Sequence, residues 1–344
     1  MTWREISSRE MNSLKRYALI DVRSPCEYVE EHIPGAVNIP LFSDDERAVV
    51  GTIYATEGES IARRKALGLI AARIPQLVDE ILARRVAGGP LIIHCWRGGL
   101  RSEAVASCLS IIGVDSWRLT GGYKAWRKQL LEDFAAGYPF NLVVLHGHTG
   151  VGKTEILEEL AKLAVPVLNL EEMASHRGSV FGAMAAKQPS QKNFDAVIWT
   201  RVKTFGNVSV CAEAESKKVG NLRLPDFICQ KLEGGRRILV TGTLNARRQR
   251  ILRDYVGDDF RQETNLNNAI KSLSVLRERL GSKLTLEIEK QGRDGNFADA
   301  VDNLLIHYYD PLYQKQIDRF EPYELTVNGD DPTLAARQIA DWLN

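Results

Sequence analysis

The chain has 344 residues, 44% hydrophobic and 26% charged, the make-up of an ordinary globular protein long enough for two domains of about 100–200 residues each. No apolar run approaches the roughly 20 residues that span a bilayer, residues 1–11 hold no stretch that could serve as a signal peptide, and the five unevenly spaced cysteines make neither a disulfide framework nor a paired zinc pattern; a cytoplasmic protein with reduced thiols and no membrane contact is expected, with no resident metal assigned and the need for Mg²⁺ left open. The net charge of +1 supplies no strong overall field for nucleic acid, so any such binding has to come from local patches.

Residues 17–22 form a short apolar, β-prone run ending near an acid, and residues 90–94 form another behind Gly88 and Gly89; both read as buried strands. Between them, 61–72 and 77–85 carry apolar residues at helical spacing, and 103–112 is expected to be a helix. Strands alternating with helices predict a parallel α/β sheet. Residues 131–140, with Gly137 and Pro139, precede a fresh apolar strand at 141–145, and the domain boundary is placed there, giving domains 1–132 and 133–344. A helix over 153–163 and strands at 165–168, 208–211 and 237–240 make the second domain α/β as well. Beyond about residue 262 the pattern is mostly helical, with helices expected over 265–280 and 297–308, and this tail is expected to pack on the second sheet.

Cys95 follows a predicted strand and opens the run His94, Cys95, Trp96, Arg97, Gly98, Gly99, Leu100, Arg101, Ser102, with a helix next. A loop curling into a helix N-terminus turns several backbone N–H groups toward the sulfur, and with Arg101 nearby they favour the nucleophilic thiolate. The same donors suit a tetrahedral oxyanion. Cys26, Cys108, Cys211 and Cys229 lack such a setting and read as packing residues.

The second motif runs Gly147, His148, Thr149, Gly150, Val151, Gly152, Lys153, Thr154, matching G-x-x-x-x-G-K-[ST] between a predicted strand and a predicted helix. Loop amides would cradle a phosphate chain and Lys153 would add a point charge, with the Thr154 hydroxyl available to Mg²⁺ if one is used. Glu213 and Glu215 fall where a P-loop enzyme presents an acid after a neighbouring strand. No aspartate stands there, which weakens the case for routine nucleotide hydrolysis and leaves room for binding a diphosphate.

Asp21, Val22, Arg23, Ser24, Pro25 with Glu27 and Tyr28, then His32 to Ala36 and Asn38 to Pro40, resemble the opening signature of rhodanese domains, and Leu119 to Trp126 resembles their closing signature. Five residues, Trp96 to Leu100, separate Cys95 from Arg101, one more than in ordinary sulfur-transferring rhodaneses. The wider spacing is that of cysteine-dependent phosphatases, so the loop has room for a phosphorus-bearing substrate.

The order of domains, the widened loop, His176, Arg177, Gly178 and Ser179, the Glu213 to Ser216 block and the Tyr308 to Tyr313 block together resemble the bacterial tRNA 2-selenouridine synthase family. The resemblance implies conversion of 2-thiouridine to 2-selenouridine at the wobble position, U34, of tRNAs for Lys, Glu and Gln. The co-substrates implied are geranyl diphosphate, for a first geranyl transfer to sulfur, and selenophosphate, for the selenation that follows.

On this reading Cys95 and Arg101 are catalytic, with Cys95 carrying or delivering selenium. Trp96, Arg97, Gly98, Gly99 and Leu100 form the selenophosphate loop, Trp96 also being placed to stack on an extruded base. Gly147, Thr149, Gly150, Gly152, Lys153 and Thr154 hold the diphosphate, and His176, Arg177, Glu213 and Glu215 support it. The basic groups available to tRNA are Arg63 to Lys65, Lys217 with Lys218, Arg236 with Arg237, and Arg247, Arg248, Arg250 and Arg253. A monomer is expected. The alternatives kept open are a sulfurtransferase regulated by the P-loop, a cysteine-dependent phosphatase, and a non-enzymatic nucleotide-gated RNA-binding protein.

Overall fold

The apolar runs at 17–22 and 90–94 become adjacent parallel strands in the computed structural model, which describes residues 3–176, 188–253 and 280–343. Every side chain of Ala18–Asp21 and Leu91–His94 is buried, as in a parallel sheet covered on both faces. They lie within a five-stranded sheet of β1 (Trp3–Ile6), β2 (Ala18–Asp21), β3 (Val37–Asn38), β4 (Leu91–His94) and β5 (Ser116–Leu119), in the order β1-β5-β4-β2-β3, with every pair parallel. The register sets Asp21 opposite His94, so the opening signature and the cysteine loop leave the sheet side by side.

Helices close over this sheet. Ile74–Leu82 buries Leu77, Val78 and Ile81, and Leu100–Ile111 buries Val105 and Leu109, against Ile20, Ile93 and Cys95. Asp44–Thr56 went unread because none of its residues is buried and it has no apolar stripe; what starts it is a capping box, with Ser43 Oγ accepting the Glu46 N–H and the Glu46 carboxylate accepting the Ser43 N–H.

The second sheet comprises β6 (Asn141–His146), β7 (Val167–Leu168), β8 (Ser209–Glu213), β11 (Arg236–Thr241) and β12 (Leu325–Asn328), in the order β12-β11-β6-β8-β7, again all parallel; β9 (Lys218–Val219) and β10 (Leu222–Arg223) form a separate antiparallel pair. Helices Lys153–Lys162 and Pro332–Leu343 cover one face, with Ile156, Leu160, Ala336 and Ile339 in the shared core. Within the mostly helical tail, β12 extends the sheet. Helices Ser282–Arg293 and Phe297–Leu304 bury Ile288, Val301 and Leu304 in a cluster of their own. The helix expected over 265–280 lies, but for Leu280, outside the described residues.

The chain forms two compact units, Met1–Gly137 with Ser190–Thr200, and Tyr138–Pro189 with Arg201–Asn344. A single cut between 132 and 133 does not describe this, because the chain returns once to the first unit. The cause is aromatic and polar docking of helix Gln191–Val202 on helix Gly122–Ala136. Trp199 meets Trp126 edge to face at 5.1 Å, its indole N–H donates to Asp133, and Arg127 pairs with Asp195 at 2.5 Å. Among the described residues, no helix is long and apolar enough to cross a membrane.

Candidate active sites

Cys95 stands one residue past β4, at the start of a loop that ends on Gly99, the residue preceding helix Leu100–Ile111. Its Sγ lies 3.3 Å from the Ser102 hydroxyl and 3.9 Å from the Gly99 carbonyl oxygen. The sulfur thus lies against the first helical turn, in contact with a hydroxyl and a carbonyl oxygen.

Two glycines allow the loop its shape. A Cβ on Gly122, at φ +58°, would stand 2.3 Å from the Cys95 carbonyl oxygen and 2.5 Å from the Gly98 nitrogen. One on Gly98, at φ +65°, would stand 2.7 Å from the Leu119 carbonyl oxygen. The closing signature is therefore a clamp: the Tyr123 N–H donates to the Cys95 carbonyl and the Lys124 N–H to that of Trp96, both at 2.9 Å.

The opening signature lies behind the clamp. Arg23 is fully buried, forks onto Asp21 at 2.6–3.0 Å, donates to the Glu31 carbonyl and places its guanidinium 4.4 Å from the centre of the Tyr123 ring. Trp96 stacks on that ring at 5.6 Å, so one face expected to be free for a base is already covered. His94 is also fully buried, and desolvation pushes its pKa down; as a neutral ring 3.7 Å from Asp21 it makes no ion pair.

Arg101 does not turn onto the sulfur. Its guanidinium forks onto Glu27 at 2.5 and 3.1 Å, and Arg47 approaches the same carboxylate at 3.9 Å. Burial works against the Glu27 charge, but Arg101 outweighs it and holds the carboxyl below its ordinary value. The loop arginine is thus held in reserve by an acid of the opening signature, and an oxyanion entering the loop has to compete with Glu27 for it.

In the second unit, Gly147, Gly150 and Gly152 adopt positive φ between the end of β6 and helix Lys153–Lys162. Four consecutive loop carbonyls are taken by cations: Gly147 and His148 by the Lys153 ammonium at 2.9 and 3.1 Å, Thr149 by Arg247 at 2.8 Å, and Gly150 by Arg250 at 3.3 Å. In a trans peptide the C=O and the following N–H point in opposite directions. Arginines pulling the Thr149 and Gly150 carbonyls one way therefore turn the Gly150 and Val151 N–H groups the other way, as an anion-binding nest requires. Thr154 lies in the first helical turn.

Arg247 is itself held by Asp310, at 2.5 and 3.1 Å, and the Tyr313 ring centre is 5.5 Å from the Lys153 nitrogen. The Tyr308 to Tyr313 block thereby reaches the phosphate loop through Asp310 and Tyr313. Burial lowers the Lys153 pKa against the opposing pull of Glu171, Glu215 and Glu213. His146, at the end of β6, is pushed down to about 4 by burial and by the charges of Lys153 and Arg237, so it stays neutral near pH 7.

The strand bearing Glu213 runs two residues further than expected, which puts this acid inside the sheet. One carboxylate oxygen accepts the Glu171 N–H at 2.9 Å, the other is buried without a partner, and desolvation raises the pKa to about 7. Glu215 is raised as well, by burial and by Glu171, with which it shares a hydrogen bond. His176 and Glu215 do come together, lining a 230 Å³ cavity with Tyr313 and Gln316. Arg177 lies outside the described residues.

The basic cluster at 247–253 is corrected by its partners. Arg247 pairs with Asp310, Arg248 with Asp302, and Arg250 and Arg253 with Glu155; the buried Arg247 and Arg250 brace the fold, while the Arg253 side chain is 61% exposed. Arg63 pairs with Glu59 and Arg236 with Glu324. Arg64, Lys65, Lys217 and Lys218 are exposed. Sequence reasoning missed Arg247 and Arg250 as supports of the phosphate loop, since nothing in their spacing distinguishes a bracing arginine from a solvated one.

The fold and these two loops define a rhodanese-like domain joined to a P-loop domain. The family model of the rhodanese-like domain matches residues 7–129, and that of the tRNA 2-selenouridine synthase AAA domain matches residues 140–343. A tRNA 2-selenouridine synthase of Pseudomonas syringae pv. tomato is 33% identical over 325 residues, covering 87% of this chain and 88% of its own. Those of Shewanella denitrificans and Cupriavidus necator are 30% and 32% identical, covering 100% and 96% of this chain and 99% and 95% of theirs. The chain belongs to the tRNA 2-selenouridine synthase family.

Proposed function

We propose that this protein acts in the cytoplasm on U34 of tRNAs for Lys, Glu and Gln, converting 2-thiouridine to 2-selenouridine by geranylation and then selenation. What supports the reading is the presence in one chain of two glycine-rich loops that each run into a helix N-terminus, one holding the Cys95 thiol and one holding Lys153, which we read as two oxyanion cradles. Geranyl diphosphate and selenophosphate both carry phosphorus, and each cradle suits one of them.

In the first step the thiouridine sulfur attacks the geranyl C1. The C–O bond breaks with its electron pair going to diphosphate, and the uracil N3 proton is released. Lys153 and the Gly147 to Thr154 loop neutralise the departing diphosphate, a kind of stabilisation worth about 3–4 kcal/mol per donor. Glu215 and His176, lining the adjoining cavity, support that end of the site.

Electron counting decides the role of Cys95 in the second step. A cysteine–selenium bond made from a thiolate and selenophosphate would have to expel phosphite, reducing phosphorus from P(V) to P(III), whereas release of phosphate calls for phosphoryl transfer, which the reading adopts. The Cys95 thiolate attacks phosphorus, the Sγ–P bond forms, the P–Se bond breaks and hydrogen selenide anion leaves. Selenide then adds to C2 of the S-geranylated base and expels geranylthiolate, while water releases phosphate and restores the thiol. Ser102, 3.3 Å from Sγ, is placed to donate to the thiolate as it departs.

The experiment that tests the assignment is a pair of substitutions assayed step by step. Cys95→Ser should abolish selenation and leave geranylation intact, and Lys153→Ala should damage geranylation first; the reverse pattern overturns the assignment. A second reading, a cysteine-dependent phosphatase or P-loop-regulated sulfurtransferase, is favoured by the widened loop with Ser102 against the sulfur, and predicts hydrolysis of a simple aryl phosphate.

A further inference from the structure

Helices Asp44–Thr56 and Glu59–Ile70 and the first turn of Leu100–Ile111 leave between them a groove of about 950 Å³, at the upper end of the roughly 300–1,000 Å³ typical of small-molecule sites. The groove exists because the facing positions are small: Ala48, Gly51 and Ala55 on one helix, Ala62 and Ala66 on the next, Ala104 on the third. Its floor is Leu41, Phe42 and Ile70. At its rim, large apolar groups face solvent, with Tyr54 56%, Leu67 60% and Leu100 47% exposed. Three exposed apolar side chains around one open concavity are a feature that a folded chain seldom keeps without an occupant.

Two observations say what the occupant is. The lining includes Leu100 and Arg101, the first two residues of the helix that follows the cysteine loop, so the groove opens next to the helix N-terminus against which Cys95 lies. Among the described residues, the charged groups on the lining are the cations Arg47, Arg63 and Arg101, with Glu27 bridging the first and last and Glu59 pairing with Arg63. The complement is a neutral hydrocarbon chain joined at one end to an electron-rich or anionic group that is handled at the loop.

We propose that this groove holds the geranyl chain of the S-geranylated wobble base during selenation, setting C2 of the base over the cysteine loop, and then holds the geranylthiolate that leaves. The inference rests on the two-step reading above and adds a site in the first unit that recognises the intermediate by its isoprenoid tail. It also gives the geranyl group a second use: besides making sulfur a better leaving group, it marks the only RNA that should receive selenium.

The test measures binding and reaction separately. Anticodon stem-loops carrying S-methyl, S-butyl or S-geranyl 2-thiouridine are titrated with the full-length protein without selenophosphate, and selenation of each is then followed by nucleoside mass spectrometry. A buried methylene contributes a factor of roughly four in affinity, so S-geranyl RNA should bind roughly a hundredfold or more tighter than S-methyl RNA. KM should fall in parallel while kcat stays level.

Ala66→Trp, which fills the groove, should compress this range, and Leu67→Ser, a surface change that leaves the fold intact, should weaken S-geranyl binding roughly tenfold without altering S-methyl binding. A chain-length preference that survives both substitutions overturns the groove while leaving the two-step reading in place. Tight S-geranyl binding that yields no selenouridine overturns the two-step reading while keeping the groove. Equal binding of all three RNAs overturns the groove, and self-association lost in Leu67→Ser would show that a second copy covers it instead.

Discussion

A Cβ on Gly122 would stand 2.3 Å from the carbonyl oxygen of Cys95, so the cysteine loop and the closing signature meet with no room for a side chain between them. Gly122 also lies at φ +58°, where an L-residue costs about 1–2 kcal/mol. Gly122→Ala should therefore spread the cysteine loop, abolish selenation and lower Tm, while geranylation by the protein that remains folded persists. Wild-type selenation in this variant would show that the clamp is not needed.

The Asp21–Arg23 pair stands behind that clamp with both side chains fully buried. Removing one member leaves an uncompensated buried charge, at a cost of about 3–5 kcal/mol. Asp21→Ala should destabilise the first unit by that order in urea melts, with a larger effect than Glu27→Ala, whose partner Arg101 is near solvent. Equal stability losses in the two variants would contradict the ranking.

Glu213 gives a stability signature with a defined sign. Its folded pKa is raised from 4.5 to about 7, so between those values the folded state holds a proton that the unfolded state has released. Stability is thus lost as pH rises from about 4.5 to about 7. Glu213→Gln stays neutral and keeps an oxygen for the Glu171 N–H; its advantage over wild type should be absent near pH 4.5, grow through that window and level off above 7 at no more than about 3 kcal/mol. Thermal melts across pH 4.5–8 check this, and a constant difference would place the titration elsewhere.

Asp310 acts on the phosphate loop through Arg247. Asp310→Asn weakens the hold on Arg247, which fixes the Thr149 carbonyl and hence the N–H direction of the next peptide. The expected result is a higher KM for geranyl diphosphate with little change in the selenation of RNA already geranylated. Restoration by Asp310→Glu would fit a positioning role; a loss of both steps together would fit only a folding defect.

The sequence was most readable where the chemistry is local. Cys95 and Lys153 announce themselves because a strand, a glycine-rich turn and a helix N-terminus follow one another within a dozen residues, and strands such as Leu91–His94 are continuous apolar runs. Elements whose reason for forming lies elsewhere were harder to see. Helix Asp44–Thr56 has no fully buried residue, β12 gains its place by pairing with β11, and helix Gln191–Val202 returns to the first unit on the strength of Trp199 meeting Trp126. The same holds within the sites. Arg101 looks like a partner of the sulfur until Glu27, 74 positions away in the chain, is seen to hold it, and Arg247 looks like a tRNA contact until Asp310 does the same.

On the function proposed here, one chain performs geranyl transfer and then selenium transfer on the same base. The direct measurement is mass spectrometry of wobble nucleosides after incubating the purified protein with 2-thiouridine tRNA, geranyl diphosphate and selenophosphate, omitting each donor in turn. The expected products are S-geranyl-2-thiouridine when selenophosphate is left out, 2-selenouridine when both donors are present, and no selenouridine without geranyl diphosphate. Selenouridine formed without geranyl diphosphate, or thiouridine left unchanged with both donors present, would contradict it.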